Sequence, residues 1–114
     1  MNAPEPVVRP AEPLLRQLDL LVRQVGHWTP PRWAAPGPSG GTARADLVHR
    51  LVQRLADLAA AAAGEPARPV PRLENDLALP DQLRVVVADL VAADPAPPVL
   101  AGAADEMATV RQAL

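Results

Sequence analysis

The stretch that decides the fold is TARADLVHRLVQRLADLAAAAAG, residues 42–64. At about 100° per residue, its apolar side chains gather on one side of a helix and its charged side chains on the other. The apolar side consists of Leu47, Val48, Leu51, Val52, Leu55, Leu58, Ala59 and Ala62. Thr42 is placed to cap the first turn, Asp46 is a second candidate cap, and Gly64 suits the left-handed position just past the end. We therefore predict one long amphipathic helix, against which the rest of the chain packs.

Three weaker helical patterns surround this stretch, at residues 13–25, 80–93 and 99–114. Proline opens the first and second of them, where a missing amide costs nothing. Pro-rich connectors separate the segments, and we expect Leu73, Leu77 and Leu79 to anchor the second connector to the core. We predict an all-α fold, an antiparallel four-helix bundle with Pro-rich connecting loops. Residues 13–114 are expected to form a single domain, and residues 1–12 a disordered Pro-rich tail.

Composition excludes several kinds of site and partner. The 114 residues include no cysteine, which excludes disulfide bonds, cysteine-ligated zinc and thiol catalysis. The net charge is −2 without a run of like charge, so we expect no nucleic-acid partner. All 11 basic residues are arginine, which, together with the abundant alanine and proline, indicates a GC-rich bacterial genome. No stretch approaches the ~20 apolar residues of a membrane span, and no signal peptide is visible, so we expect a cytoplasmic protein with no membrane partner.

Two tryptophans and one leucine are the candidate residues for binding a partner or ligand. Trp28 and Trp33 are the only aromatic residues and bracket Pro30-Pro31. Two indoles are too much apolar area to leave in water, so we predict that they either cap one end of the bundle or line a patch for a peptide or ligand. Leu20 projects onto the polar side of the first helix. It is either a singly exposed leucine or a contact to a second copy or to the Pro-rich loop.

No constellation of residues completes a catalytic or metal site. His49 lies on the polar side of the long helix, three residues after Asp46, where the two side chains can touch. An exposed helical histidine is far commoner than a general base or metal ligand, and a catalytic zinc wants three protein ligands where this chain has two histidines. We predict no catalytic residue, no cofactor and no metal site. His49 is the one long-shot candidate for a metal ligand.

Residues 14–58 carry a family resemblance. A leucine-rich helix, then WTPPRWAAPGP, a Gly-Thr turn and ARADLVHRLV resemble the first two helices of the DinB / mycothiol-dependent maleylpyruvate isomerase superfamily. The resemblance implies a four-helix bundle with a Trp/Pro-rich first link. It also implies a divalent metal, bound by one histidine of the second helix and two of the third. Here His49 stands one place early and residues 80–94 contain no histidine, so the resemblance implies no intact metal site.

Two hypotheses for function follow. The first is a small non-enzymatic helical-bundle protein that acts through protein–protein contacts, as a homodimer. The alternative is a degenerate DinB-like bundle that binds a metal or a small thiol or other ligand near Trp28 and Trp33.

Overall fold

The computed structural model describes residues 9–114, and every regular element within that range is helical. The prediction of an all-α fold is confirmed. The helices are α1 (Glu12–Val25), α2 (Pro30–Ala34), α3 (Arg44–Ala63), α4 (Leu79–Ala92) and α5 (Pro97–Ala113), with one 3₁₀ turn at Asp76–Ala78 before α4. The predicted tail covers residues 1–12. Its residues 1–8 lie outside the described residues, and its last residue, Glu12, is the first residue of α1.

The long helix predicted from the sequence is α3, and its end is the predicted one. Gly64 has φ 70° in the left-handed region, and the amide of Glu65 donates to the carbonyl oxygen of Ala60 at 2.8 Å. The predicted caps, Thr42 and Asp46, are wrong. Ala43 occupies the N-cap position and no side chain caps the helix. The reason is that the segment before α3 pairs with the end of α2, where the amide of Arg44 donates to the carbonyl oxygen of Ala35 at 3.0 Å.

The core is built by one face of each long helix, together with the two tryptophans. Within residues 9–114 no polar or charged residue is buried. Burying a large aliphatic side chain contributes about 1.5–3 kcal/mol, so the leucines and valines dominate the stability of the fold. The largest fully buried side chains are Trp33, Leu14, Leu21, Leu55, Leu79, Leu83, Leu90, Met107, Val25, Val48, Val52 and Val87.

The four long helices of the described chain, α1, α3, α4 and α5, pack against one another in pairs. α3 packs against α4 and α5, and α1 packs against α5 and α4. Arg44, at the start of α3, bonds to Leu114 just past α5, and Arg54 pairs with Glu106 further back along α5. These two contacts run in opposite directions along the chain, so α3 and α5 are antiparallel.

The arrangement of α3 and α4 differs from the predicted antiparallel bundle. The segment 64–75, which we call the connector, runs back along α3, and its Arg72 pairs with Asp46 in the first turn of that helix. Gln82, in the first turn of α4, donates to the carbonyl oxygen of Pro71. α3 and α4 therefore begin at the same end of the molecule. A dozen residues at ~3.1 Å each in an extended proline-rich chain span more than the ~30 Å of the 20-residue helix, so the connector is long enough to return.

Both connecting segments differ from a simple extended, core-anchored chain. The Pro30-Pro31 pair opens the short helix α2, because proline is tolerated at the first positions of a helix. This turn aims Trp33 into the core. Leu73 and Leu77 do not anchor the second connecting segment, since both are exposed, whereas Leu79 is buried as predicted. Hydrogen bonds from α3 do the anchoring instead.

Candidate functional site

The two tryptophans lie together at the end of the molecule where α3 begins. Their rings meet edge to face, with centroids 5.0 Å apart and an interplanar angle of 70°. Trp28 is 5% exposed and Trp33 is 0% exposed. This is the location that the end-capping interpretation requires, and it leaves almost no indole surface at which a partner could bind. Binding of a ligand beside these rings stays a prediction.

Two arginines surround the tryptophan pair. The guanidinium carbon Cζ of Arg32 lies 4.9 Å from the ring centre of Trp28, and that of Arg44 lies 5.5 Å from it. Arg44 also donates from Nε to the main-chain oxygen of Leu114 at 3.0 Å and from Nη1 to that of Arg32 at 3.3 Å. One side chain thereby links the start of α3, helix α2 and the segment after α5. Nε1 of Trp33 is buried and has no hydrogen-bond acceptor among residues 9–114.

Leu20 is an exposed residue of α1, with 37% of its surface accessible. The structure thus places it on the polar side of the helix, as the helical spacing predicted. Leu20 lies on α1 and is exposed, whereas Trp33 lies on α2 and both tryptophans are buried. The role of Leu20 as a contact residue stays a prediction.

His49 faces the connector instead of open solvent. Its Nε2 lies 3.1 Å from the carbonyl oxygen of Val70. Because a carbonyl oxygen can only accept, Nε2 is the donor and carries the proton, which leaves Nδ1 with the free electron pair in the neutral ring. Asp46, the neighbour expected for His49, pairs with Arg72 at 2.8 Å. No group of three possible metal-ligating side chains occurs within residues 9–114.

A row of polar side chains on α3 holds the connector, and we call this set of contacts the connector clasp. Gln53 accepts from the amide of Val70 at 2.7 Å and donates to the carbonyl oxygen of Arg68 at 3.0 Å. His49 and Asp46 extend the same row towards the start of the helix. Asp46, His49 and Gln53 are three and four residues apart, so they form one stripe along the helix. This stripe is the polar face that the sequence analysis assigned to solvent.

Arg72 closes the clasp at the beginning of α3. It donates to Asp46 at 2.8 Å and to Asp76 at 3.2 Å. The hydrogen bond to Asp46 is the main reason why the pKa of Arg72 is raised; burial opposes the shift, and Asp76 adds to it. The guanidinium is therefore a permanent positive bridge between α3 and the 3₁₀ turn.

Beneath the connector lies a cleft of about 600 Å³ between α3 and α4. Its walls are mostly alanine and proline, and its charged members are Glu65, Arg68 and Asp89. The small side chains of Ala59, Ala60 and Ala63 leave this space open on the α3 side. The lining residues include no histidine and no hydroxyl group, so the cleft offers volume without a nucleophile or an imidazole base.

A second concavity of about 440 Å³ runs between α3 and α5, and we call it the α3–α5 groove. Its floor is apolar, from Leu47, Leu51 and Val110. Its two rims carry opposite charges. The complete lining is Leu47, Arg50, Leu51, Arg54, Asp105, Glu106, Thr109 and Val110. The sequence analysis placed Leu47 and Leu51 on the apolar side of α3, where Leu51 is buried and Leu47 partly buried, but it did not predict a groove. The sequence feature that indicates the groove is the width of the apolar arc on α3, because a single neighbouring helix cannot cover the whole arc.

A smaller apolar patch lies where the connector meets α4. A shallow space of about 300 Å³ there includes Leu73 and Val85, and Val85 is 59% exposed. The three consecutive valines of α4 explain this exposure, because adjacent residues of a helix point about 100° apart and cannot all face the core. Val86 and Val87 are buried, which leaves Val85 outside.

In comparisons with known proteins, no family model, no curated protein and no solved structure matches this chain. The resemblance of residues 14–58 to the DinB superfamily therefore stays a hypothesis. Within residues 9–114, no helix has both the length and the apolar character that crossing a membrane requires.

Proposed function

We propose that residues 13–114 form one helical-bundle domain that acts through protein–protein contacts and self-associates, without catalysing a reaction. The single observation that carries this proposal is the distribution of apolar side chains over the described surface. The large exposed ones are Leu15, Leu20, Leu73, Leu77 and Val85, and the floor of the α3–α5 groove adds to them. Leu73 and Val85 share one surface patch, and the groove floor is another, and surface apolar patches are typical of contact sites.

The location of the polar groups supports the same function. The residues of α3 that the sequence offered for chemistry, Asp46 and His49, are engaged in the connector clasp. Their hydrogen bonds hold the fold together instead of pointing into a cleft. A general acid or base needs a proton-transfer partner within hydrogen-bond reach, and the atoms Nε2 of His49 and Oδ1 of Asp46 are each engaged by the connector.

The experiment that tests self-association is light scattering coupled to size-exclusion chromatography over a wide range of protein concentrations. We expect a species of twice the 12.0 kDa chain mass, which dissociates on dilution. A strictly monomeric chain up to millimolar concentration would remove self-association from the proposal.

A second candidate function is binding of a small ligand at the tryptophan pair, and the observation that favours it is the buried Nε1 of Trp33. An unpaired buried donor costs about 1–3 kcal/mol, and a ligand that supplies an acceptor would recover this cost. Titration of a small thiol, whose sulfur can accept from Nε1, tests this function by tryptophan emission, and titration of zinc tests the metal-binding alternative in the same way. We expect a saturable change for a true ligand, with Trp33→Phe as the variant that loses the donor. An unchanged spectrum with both probes would dismiss it.

A further inference from the structure

The α3–α5 groove has an uneven charge distribution across its width. The rim contributed by α3 carries Arg50 and Arg54, and the rim contributed by α5 carries Asp105 and Glu106. Arg54 and Glu106 form an ion pair of 3.2 Å across the groove. Within the described chain, Arg50 makes no ion pair and neither does Asp105. The groove is thus an apolar strip with one positive and one negative edge.

We propose that this groove is the self-association surface and that its occupant is the same groove of a second copy, related by a two-fold axis that runs along the groove. This inference rests on the self-association proposed above and adds its location and symmetry. A two-fold interface uses the same patch on both subunits, so the patch must complement itself. An apolar strip with edges of opposite charge meets this requirement in one orientation only.

The orientation follows from the charges. Rotation about an axis along the groove brings the second copy face to face with the first and exchanges left and right. The positive α3 rim of each copy then lies over the negative α5 rim of the other. Rotation about an axis across the groove would place α3 over α3, and Arg50 and Arg54 would face the same arginines. Like charges placed opposite each other disfavour that alternative.

The positions along the helices also match. Arg54 and Glu106 lie at the same level, since they pair within one copy, and an axis along the groove preserves this level. Arg54 of one copy therefore lies opposite Glu106 of the other, and the pair occurs twice in the dimer. The apolar floor from Leu47, Leu51 and Val110 meets its own copy in the middle. Apolar burial supplies the affinity, and the charged rims select the partner and the register.

The test is a charge swap in which two defective variants repair each other. In a homodimer, residues 54 and 106 of the two copies give four rim positions. Arg54→Glu makes all four acidic, and Glu106→Arg makes all four basic. We expect each variant alone to raise the dimer dissociation constant at least about tenfold. In an equimolar mixture, the two acidic rim positions of one chain face the two basic rim positions of the other. We therefore expect a heterodimer with affinity close to that of the wild type.

Controls separate this result from loss of fold. Circular dichroism checks helix content, and the exposed Arg54–Glu106 pair is too weakly stabilising within one chain for either variant to unfold. Arg16→Glu reverses an exposed charge on α1 and should leave the dimer unchanged. A wild-type dimer that neither variant weakens, or variants that mixing fails to rescue, would overturn the groove proposal and leave self-association standing. A wild-type monomer would overturn both.

Discussion

The side-chain oxygen of Gln53 accepts a 2.7 Å hydrogen bond from the main-chain amide of Val70. The amide nitrogen of the same side chain donates to the carbonyl oxygen of Arg68 at 3.0 Å. One glutamine thus pairs with the connector as a neighbouring β-strand would. Pro69 and Pro71 have no amide hydrogen, so Val70 supplies the only main-chain donor of these three residues. Gln53 therefore holds the one main-chain donor that this part of the connector offers.

Gln53→Met should lower the free energy of unfolding by roughly 1–2 kcal/mol, because it leaves the amide of Val70 without its acceptor. Urea unfolding measures the loss. Gln112→Met is the matched control, since Gln112 is exposed on α5, and it should change stability by less than about 0.5 kcal/mol. Equal midpoints for the two variants would show that Gln53 does not hold the connector.

Arg72 provides the second test of the clasp. Its guanidinium joins Asp46 and Asp76, and 39% of the side chain is exposed, so solvent screens the pairs. Arg72→Met should cost about 0.5–1 kcal/mol at low salt and less in molar salt. Because the pKa of Arg72 is raised, the charge and its stabilisation persist throughout the neutral range and are lost only in strong alkali. Ionic strength is therefore the useful variable, and denaturant unfolding at two ionic strengths measures the loss of stability.

The control for Arg72 is Arg84→Met on α4. In the part of the chain that the structure describes, Arg84 pairs only with Asp81, three residues earlier on the same exposed face. Such a pair contributes about 0.2–0.5 kcal/mol. A salt-independent loss at Arg72, or a loss no larger than that at Arg84, would contradict the bridging role.

Helical periodicity predicted the elements of this fold but not the path between them. The spacing of apolar residues identified α1, α3, α4 and α5, and Gly64 marked the end of α3 because its conformation is a local property. Periodicity reports which side of a helix is apolar. It does not report what lies on the polar side, and here that side carries the connector clasp.

The sequence did not predict the short helix α2 or the parallel start of α3 and α4, for a related reason. Proline is compatible both with an extended chain and with the first turn of a helix, so Pro30-Pro31 does not decide between them. In the same way, the length of the connector allows a return along α3 without requiring it. The choice is made by long-range hydrogen bonds such as that of Arg72 to Asp46, which no local pattern encodes.

Arg44 is expected to stabilise the end of the molecule that holds the tryptophan pair. Arg44→Met removes its hydrogen bonds to Leu114 and Arg32 and should cost about 1.5–3 kcal/mol, since a charged donor is lost. Arg44→Lys should cost less but not nothing, because an ammonium group cannot reproduce the planar geometry. Thermal unfolding followed by tryptophan emission measures both. Arg32→Met, which removes one exposed cation–π contact, should cost at most about 1 kcal/mol, and an equal or larger loss there would refute the role given to Arg44.

Gly37 and Gly102 should respond in opposite directions to the same substitution. A Cβ added at Gly37 would overlap the main-chain oxygen of Ala113, and a main-chain atom cannot move aside as a side chain can. Gly37→Ala should therefore lower stability by about 1–3 kcal/mol through overpacking. Gly102 is exposed within α5, and a Cβ there would meet no atom of the described chain within 4 Å. Gly102→Ala should raise stability by about 0.5–1 kcal/mol, because alanine loses less backbone entropy in a helix. Urea midpoints at constant slope measure both changes, and unchanged or raised stability of Gly37→Ala would mean that the segment around Gly37 does not lie against the end of α5.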